Sequence, residues 1–338
     1  EGRRFESFRA RHILMTQKIL ITGGAGYIGS HISEILIKDK KKVFIVDNLS
    51  TGHRKLINKK AKFYNIDINN FKKIKSIIIN NKIDSVIHLA ASLIVNEGEK
   101  YPKKYYKNNV LNTKSLIIAC NNTPVKNFIF SSTAAVYKDG KSKVTEKSRL
   151  SPKSIYGKTK LAAEKIIIKN CKKNKINYAI LRYFNIVGSS SSGKIGLINK
   201  GDHLFKNYSM ETLKQNPMLK IYGMNYPTKD GSCERDFIHV SDIAEIHSQV
   251  LKKIDKINKS KILNCGYSKG ISVKQVAKNF LKYANKKAKI VEAPRRKGDL
   301  ISIIAVTKSL KNFIKWKPKF NKLDTMVKSS LKWEKKLK

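Results

Sequence analysis

The stretch Lys18-Ile19-Leu20-Ile21-Thr22-Gly23-Gly24-Ala25-Gly26-Tyr27-Ile28-Gly29 decides the fold. Its first five residues form a short apolar run that meets glycine at once, as a strand buried in a parallel sheet does. Residues 30–37 then place apolar side chains at helical spacing. Gly23, Gly26 and Gly29 stand three apart between the two elements. The reason for glycine is steric: the turn is tight, the backbone must approach a pyrophosphate, and the helix must pack close on the strand. The helix N-terminus then offers unpaired N–H groups and a partial positive charge to the phosphates.

About 20 residues on, a second strand, Val43-Phe44-Ile45-Val46-Asp47, ends in an acid. A carboxylate there accepts hydrogen bonds from ribose hydroxyls and repels a 2′-phosphate, so NAD is expected rather than NADP. Further strands are expected over 61–66, 85–90, 126–132 and 178–182, with a helix over 71–80. Strands alternating with helices build βαβ units, so the expected fold is α/β, a doubly wound, Rossmann-like parallel sheet. After about Val187 a polar loop and scattered Gly and Pro break this rhythm. The expected division is an NAD-binding domain over 15–187 and a smaller α/β substrate-binding domain over 188–338. Within the latter, about 236–268, starting at Asp236-Phe237-Ile238-His239-Val240, is expected to return to the first sheet. Residues 1–14 are arginine-rich and carry no apolar leader core, and they are expected to lie outside the fold.

The chain carries 71 lysines and arginines against 24 acidic residues, a formal net charge of +47. Such a balance suggests nucleic-acid binding. Yet only ten of the 71 are arginine, whose fork suits a phosphate better than an ammonium does. The lysines are spread along the chain beside many Ile and Asn, the residues an AT-biased genome writes at tolerant surface positions. A solvated surface with weak, salt-sensitive attraction to polyanions is expected, and no specific nucleic-acid partner. No apolar run approaches the ~20 residues that span a bilayer, so no membrane partner and a cytoplasmic location are expected. Cys120, Cys171, Cys233 and Cys265 lie far apart without a CxxC pair, which excludes a zinc ribbon and a disulfide scaffold. His239 and His247 have no carboxylate cluster beside them, so no metal site is expected, and His88 reads as a packed strand-end residue.

Tyr156-Gly157-Lys158-Thr159-Lys160 sets a tyrosine and a lysine four apart, on one face of a helix that Ser154 or Pro152 would start. A phenol titrates near 10, too high for a base at neutral pH. A nearby ammonium and a positive nicotinamide would favour the phenolate, making Tyr156 a candidate general base. In so lysine-rich a chain the spacing counts only by its position. It follows a strand ending Ser131-Ser132-Thr133, where ligands bind in such sheets, and Thr133 could hydrogen-bond the oxygen that Tyr156 deprotonates.

Together these residues resemble the extended short-chain dehydrogenase/reductase family, and within it the UDP-glucose 4-epimerases. The resemblance runs from about Lys18 to about Trp333 on ITGGAGYIGSH (21–31), VDNLSTG (46–52), VIHLAA (86–91), YYKNNV (105–110), FIFSSTAAVY (128–137), SIYGKTK (154–160), LRYFNIVG (181–188), YPTKDGSCERDFIHVSDIA (226–244) and APRRKGDL (293–300). It implies interconversion of UDP-glucose and UDP-galactose with tightly bound NAD, and a homodimer. It implies that Tyr156 is the base, that Lys160 holds the nicotinamide ribose and that Thr133 assists. Besides the three glycines and Asp47, it implies that Tyr27, Ile28, Asn48, Asp67, Ile68, Leu89, Ala90, Asn108 and Phe184 line the NAD site. Asn185, His203, Leu204, Tyr222, Arg235, Arg296, Asp299 and Ile303 would hold the UDP-hexose, with Ile303 near the sugar 2-substituent. Departures are His203 where Asn is common, Phe237 without a hydroxyl, Lys138 for a usual glycine, and Leu93 where some members place lysine. The alternatives are a UDP-N-acetylglucosamine 4-epimerase, a 4,6-dehydratase or decarboxylase, and a non-catalytic NAD-binding module. A dehydratase would want acids after Thr133, where Ala134 and Ala135 stand.

Overall fold

The computed structural model describes residues 16–138, 142–284, 288–296 and 300–338; the expected 1–14 extension and Asp299 lie outside the described residues. In chain order come β1 (Lys18–Thr22), α1 (Tyr27–Lys38), β2 (Lys42–Asp47), β3 (Lys62–Asn65), α2 (Phe71–Asn80) and β4 (Ser85–His88). Next are α3 (Val95–Lys100), α4 (Pro102–Tyr106), a π-helical turn over Lys107–Leu111, and α5 (Asn112–Ala119). They lead into β5 (Asn127–Thr133), β6 (Lys143–Val144), α6 (Ile155–Lys173) and β7 (Asn177–Tyr183). Then follow β8 (Asn185–Val187), α7 (Leu204–Thr212), β9 (Met218–Tyr222), β10 (Glu234–His239), α8 (Val240–Ile257) and β11 (Lys261–Cys265). The chain ends with β12 (Gly270–Ser272), α9 (Val273–Lys282), β13 (Lys289–Ala293), β14 (Ser302–Ala305), α10 (Lys308–Ile314) and α11 (Leu323–Leu337).

Seven strands pair in parallel in the order β11-β7-β5-β4-β1-β2-β3. The winding direction reverses between β1 and β4, and the crevice outside the carboxyl ends there is where doubly wound sheets bind ligands. Both faces are covered, which is why β1 reads as an unbroken apolar run: Ile19, Leu20 and Ile21 have no exposed surface. Ile21, Ile45 and Leu181 meet Ile32 of α1 and Ile243 of α8 on one face. Leu20, Val86 and Phe128 meet Ile74 of α2, Leu116 of α5 and Ile167 of α6 on the other.

The stretch Asp236–Val240 does not return to this sheet as expected. Asp236–His239 belong to β10, which pairs with β8, β12 and β14 in a second sheet, and Val240 opens α8. The return is made by α8 and by β11, which adds an edge beside β7. The physical reason is that the run serves two cores. Phe237 packs on Phe205 with ring centroids 5.2 Å apart in the smaller core, while Ile238 joins the first. Asp236 is wholly buried and accepts backbone N–H groups from Tyr267 (2.8 Å), Ser268 (2.9 Å) and Ala305 (3.1 Å), which ties β10 to β14. β9 and β13 form a separate parallel pair.

One buried ion pair spans the larger sheet. Arg182 of β7 reaches Glu164 of α6 through Nη2–Oε2 at 2.7 Å and Nε–Oε1 at 3.0 Å. The Ser132 hydroxyl of β5 donates to the same carboxylate. Arg182 Nη1 donates to the Tyr137 hydroxyl at 3.1 Å, and that hydroxyl donates to Asn264 Oδ1 of β11 at 2.6 Å. Breaking a buried pair leaves an uncompensated charge, worth about 3–5 kcal/mol. Glu164→Ala should therefore lower the urea midpoint by a loss of that size, and Glu164→Leu with Arg182→Met should recover much of it. A single variant within 1 kcal/mol of wild type, roughly the value of an exposed pair, would contradict this.

Candidate active site

The glycine loop is held between the ends of β1, β2 and β4. Gly23 has φ +74°, and a Cβ there would lie 2.7 Å from the Ala90 nitrogen. At Gly29 a Cβ would lie 2.4 Å from the Gly23 carbonyl oxygen and 2.7 Å from Gly24 Cα, so the first turn of α1 rests directly on the loop. Asp47 accepts the Ala25 N–H at 3.0 Å and the Leu49 N–H at 2.9 Å. Burial pushes its carboxyl up, and those two bonds pull it back. The Asn48 side chain donates to Asp67 at 2.7 Å, closing the rim beside β3. Leu89 donates its N–H to the Thr22 carbonyl at 3.0 Å. Ile68 is buried in the core under α2, and Asn108 donates to Ser92 Oγ at 2.9 Å.

Tyr156 and Lys160 lie on α6, whose N-cap is Ser154; its side chain accepts the Gly157 N–H at 3.1 Å. The Tyr156 phenol faces the Thr133 side chain at the end of β5, which favours its ionised form. Burial pushes this phenol up to about 12, with the Thr133 side chain opposing. Lys160 is 1% exposed, and its ammonium sits 4.2 Å from the centre of the Phe130 ring. Burial pulls it down to about 7, against Glu164, which holds it up. The expected lowering of the phenol by an adjacent ammonium is not what acts on Tyr156: burial raises it, and only Thr133 opposes. His88 is a packed residue: its two ring nitrogens meet Thr22 Oγ1 at 2.7 Å and Thr113 Oγ1 at 2.8 Å.

Four residues that the sequence reading passed over also build this region. Glu164 and Arg182 form the pair described above, and an arginine inside the apolar run of β7 was the available signal. Asn109, in the π-helical turn, accepts the Ser92 N–H at 2.8 Å and donates to Thr159 Oγ1 at 3.1 Å, bracing the loop after β4 against α6. Tyr183 is buried and bonds His247 at 2.7 Å.

The remaining expected residues lie on the smaller sheet and its loops. Asn185 is exposed at the start of β8, and Phe184 before it shares an apolar cluster with Ala134 and Ile303. Arg235 pairs in register with Ile303, and its Nη1 donates to the Glu234 and Leu300 carbonyls, both at 2.8 Å. Arg296 stacks on Tyr222 with its guanidinium carbon 4.0 Å from the ring centre. His203 and Leu204 open α7. Among the described residues no three His, Cys, Asp or Glu side chains converge to hold a metal.

A dinucleotide fits this geometry. No side chain caps the start of α1, and its first turn carries no acid, so its leading N–H groups are left for an anion. Residues 19–266 match the NAD dependent epimerase/dehydratase family. The chain belongs to this family. It is 39% identical to the UDP-glucose 4-epimerase of Lactobacillus helveticus over 94% of this chain and 97% of that protein. Its structure is similar to that of the UDP-glucose-4-epimerase from Stenotrophomonas maltophila with bound NAD and formylated UDP-arabinopyranose. The TM-score is 0.91 at 30% identity, covering 95% of this chain and 98% of that one. The UDP-Glc/GlcNAc 4-epimerase from Campylobacter jejuni gives 0.83 at 38% identity, covering 95% and 99%. NAD is the cofactor of this epimerase. The steric reading of the loop predicts that Gly29→Ala, whose added carbon would meet backbone on two sides, cuts bound NAD per chain by at least tenfold. Absorbance and chromatography of the nucleotide released on denaturation check this.

Proposed function

We propose that this protein interconverts UDP-glucose and UDP-galactose by inverting sugar C4, with NAD held tightly through every turnover. The observation that carries this reading is the Tyr156 phenol facing the Thr133 side chain at the carboxyl edge of the sheet, with Lys160 buried a turn further along the same helix. NAD, when bound, supplies the redox half of the reaction, accepting a hydride at C4 and returning it. The chain's own residues move the proton and hold the sugar. Tyr156 takes the proton of the 4-hydroxyl oxygen and later gives it back. Thr133 Oγ1 already accepts the Ala135 N–H at 3.1 Å, so its own proton is free for the Tyr156 oxygen, and that donation favours the phenolate. Lys160 binds the nicotinamide ribose.

The glycine loop and α1 hold the NAD pyrophosphate, and Asp47 the adenosine ribose. Tyr27, Ile28, Asn48, Asp67, Ile68, Leu89, Ala90, Asn108 and Phe184 line the rest. Asn185, His203, Leu204, Tyr222, Asp299 and Ile303 surround the UDP-hexose, and Arg235 and Arg296 pair with its pyrophosphate. The boundary between the NAD-binding and substrate-binding parts falls near Val187, where the chain has passed from β7 of the first sheet through β8, which pairs with β10 of the second. Four free, buried cysteines suit a reducing cytoplasm, and no helix among the described residues is long and apolar enough to cross a membrane. The working form is a homodimer. Pro102, Tyr106 and Leu111 line one exposed apolar patch, with Tyr106 52% and Leu111 47% exposed, as a second copy would require.

Incubation with a panel of UDP-sugars, followed by separation of epimers, should show glucose–galactose conversion as the main activity, with measurable turnover of UDP-N-acetylglucosamine. Tyr156→Phe should lower turnover by ~10²–10⁴-fold with NAD still bound; near-normal turnover would refute the base assignment. Leu111→Glu should shift the sedimentation mass from two chains to one.

A further inference from the structure

The segment after Phe184 connects the two parts of the molecule, and side chains complete its free edge. β8 pairs with β10 on one side. Toward the other side, the Tyr27 hydroxyl donates to the Gly188 carbonyl at 2.6 Å, and His203 Nε2 donates to the Ile186 carbonyl at 2.8 Å. The two accepting carbonyls lie two residues apart along the chain, so both donors act on one short segment. Their rings meet edge to face with centroids 6.4 Å apart. The segment has little freedom to shift. Gly188 has φ +88°, a Cβ there would lie 2.3 Å from His239 Nε2, and the Ser189 hydroxyl donates to the Ser329 carbonyl of α11 at 2.7 Å.

The two donors come from opposite sides of the chemistry. Tyr27 is the first residue of α1, directly after the glycine loop. His203 is the N-cap of α7, directly before Leu204. Between them they hold the strand that begins at Asn185. We propose that Tyr27 and His203 form a two-point clamp on β8 that couples the filled dinucleotide loop to the segment receiving the uridine diphosphate. The identity of that second ligand rests on the function proposed above. Tyr27 is in this role a positioning residue: it acts on the nucleotide sugar through Gly188. Burial keeps the phenol protonated and the imidazole neutral, so both donors persist across the neutral range. Losing either would leave a part-buried carbonyl unpaired.

The test is calorimetric titration of UDP into the NAD-loaded protein. Tyr27→Phe keeps the ring and removes only the donor; His203→Leu removes the other. Each should weaken UDP binding by about 3–10-fold, the range of one hydrogen bond, and the double variant should weaken it less than the product of the two, because the clamp acts as a unit. By reciprocity, saturating UDP should raise the equilibrium affinity of wild type for NAD, and that gain should shrink by a similar factor in Tyr27→Phe. A Tyr27→Phe protein that retains NAD and binds UDP like wild type would overturn the clamp. So would strictly multiplicative effects of the two substitutions, or variants that lower thermal stability alone. Wild-type protein that epimerises no UDP-sugar and binds no UDP would instead overturn the function itself, and the clamp with it.

Discussion

A charge taken out of water must be paired, and in this protein that requirement fixes where α6 lies. Tyr156, Lys160 and Glu164 follow one another at intervals of four, so they form a single stripe about 12 Å long. Glu164 at the lower end is gripped by Arg182 and Ser132. With that end tied to β5 and β7, the upper end cannot slide along the sheet, and Tyr156 meets Thr133 at the end of β5. An apolar pair could fill the same space with comparable stability, but it would not fix the helix against sliding in the same way. The pair also places a carboxylate one turn below Lys160, which resists the loss of its proton as burial pulls it toward neutrality.

The other end of the site rests on backbone approaching backbone. The loop after β1 touches the chain after β4 at Ala90, and the start of α1 touches the loop itself. These contacts lie at the reversal of strand order, so the place where the sheet leaves a crevice is also where side chains are kept out of it. Asp47 then uses its carboxylate to stiffen the loop and its own turn. Desolvation opposes keeping that acid ionised, and its two backbone donors offset part of that cost.

What was legible in the sequence was local. An apolar run that ends in glycine, followed by helical spacing and then by an acid on the next strand, carries its own geometry. Tyr156 and Lys160 could be placed because their spacing is helical and Thr133 ends the strand before them. Glu164 has the same spacing again, yet a glutamate on a lysine-rich helix reads as solvated face. Its burial depends on Arg182, 18 residues on and across the sheet, and no local pattern carries that pairing. β10 went to the second sheet for a similar reason. Successive residues Phe237 and Ile238 face different cores, and only the positions of Phe205 and α8 reveal which strand edge is available. The charge shifts of Tyr156 and Lys160 were also beyond sequence, since the depth of burial decides their direction.

The imbalance of charge becomes intelligible once the acids are located. Asp47, Glu164, Asp236, Asp242 and Glu334 are all buried, and each receives donors: loop backbone, Arg182, strand and loop backbone, the Lys319 and Phe320 N–H groups, and Lys206 at 2.7 Å. Replacing any of them would strand those donors in the interior, which a hydrated surface acid would not do. Lysines are nearly all at the surface: among the described residues only Lys160 and Lys206 are buried, one beside the candidate base and one tying α7 to α11 through Glu334. Exposed positions can drift toward lysine with little effect on folding, whereas buried acceptors cannot drift at all. A net charge of +47 fits a surface that tolerates lysine around an interior whose acids are held by their donors. Its consequence is long-range repulsion between copies, which salt screens beyond about 8–10 Å, and which any dimer formed through the patch at Tyr106 and Leu111 must overcome by apolar contact.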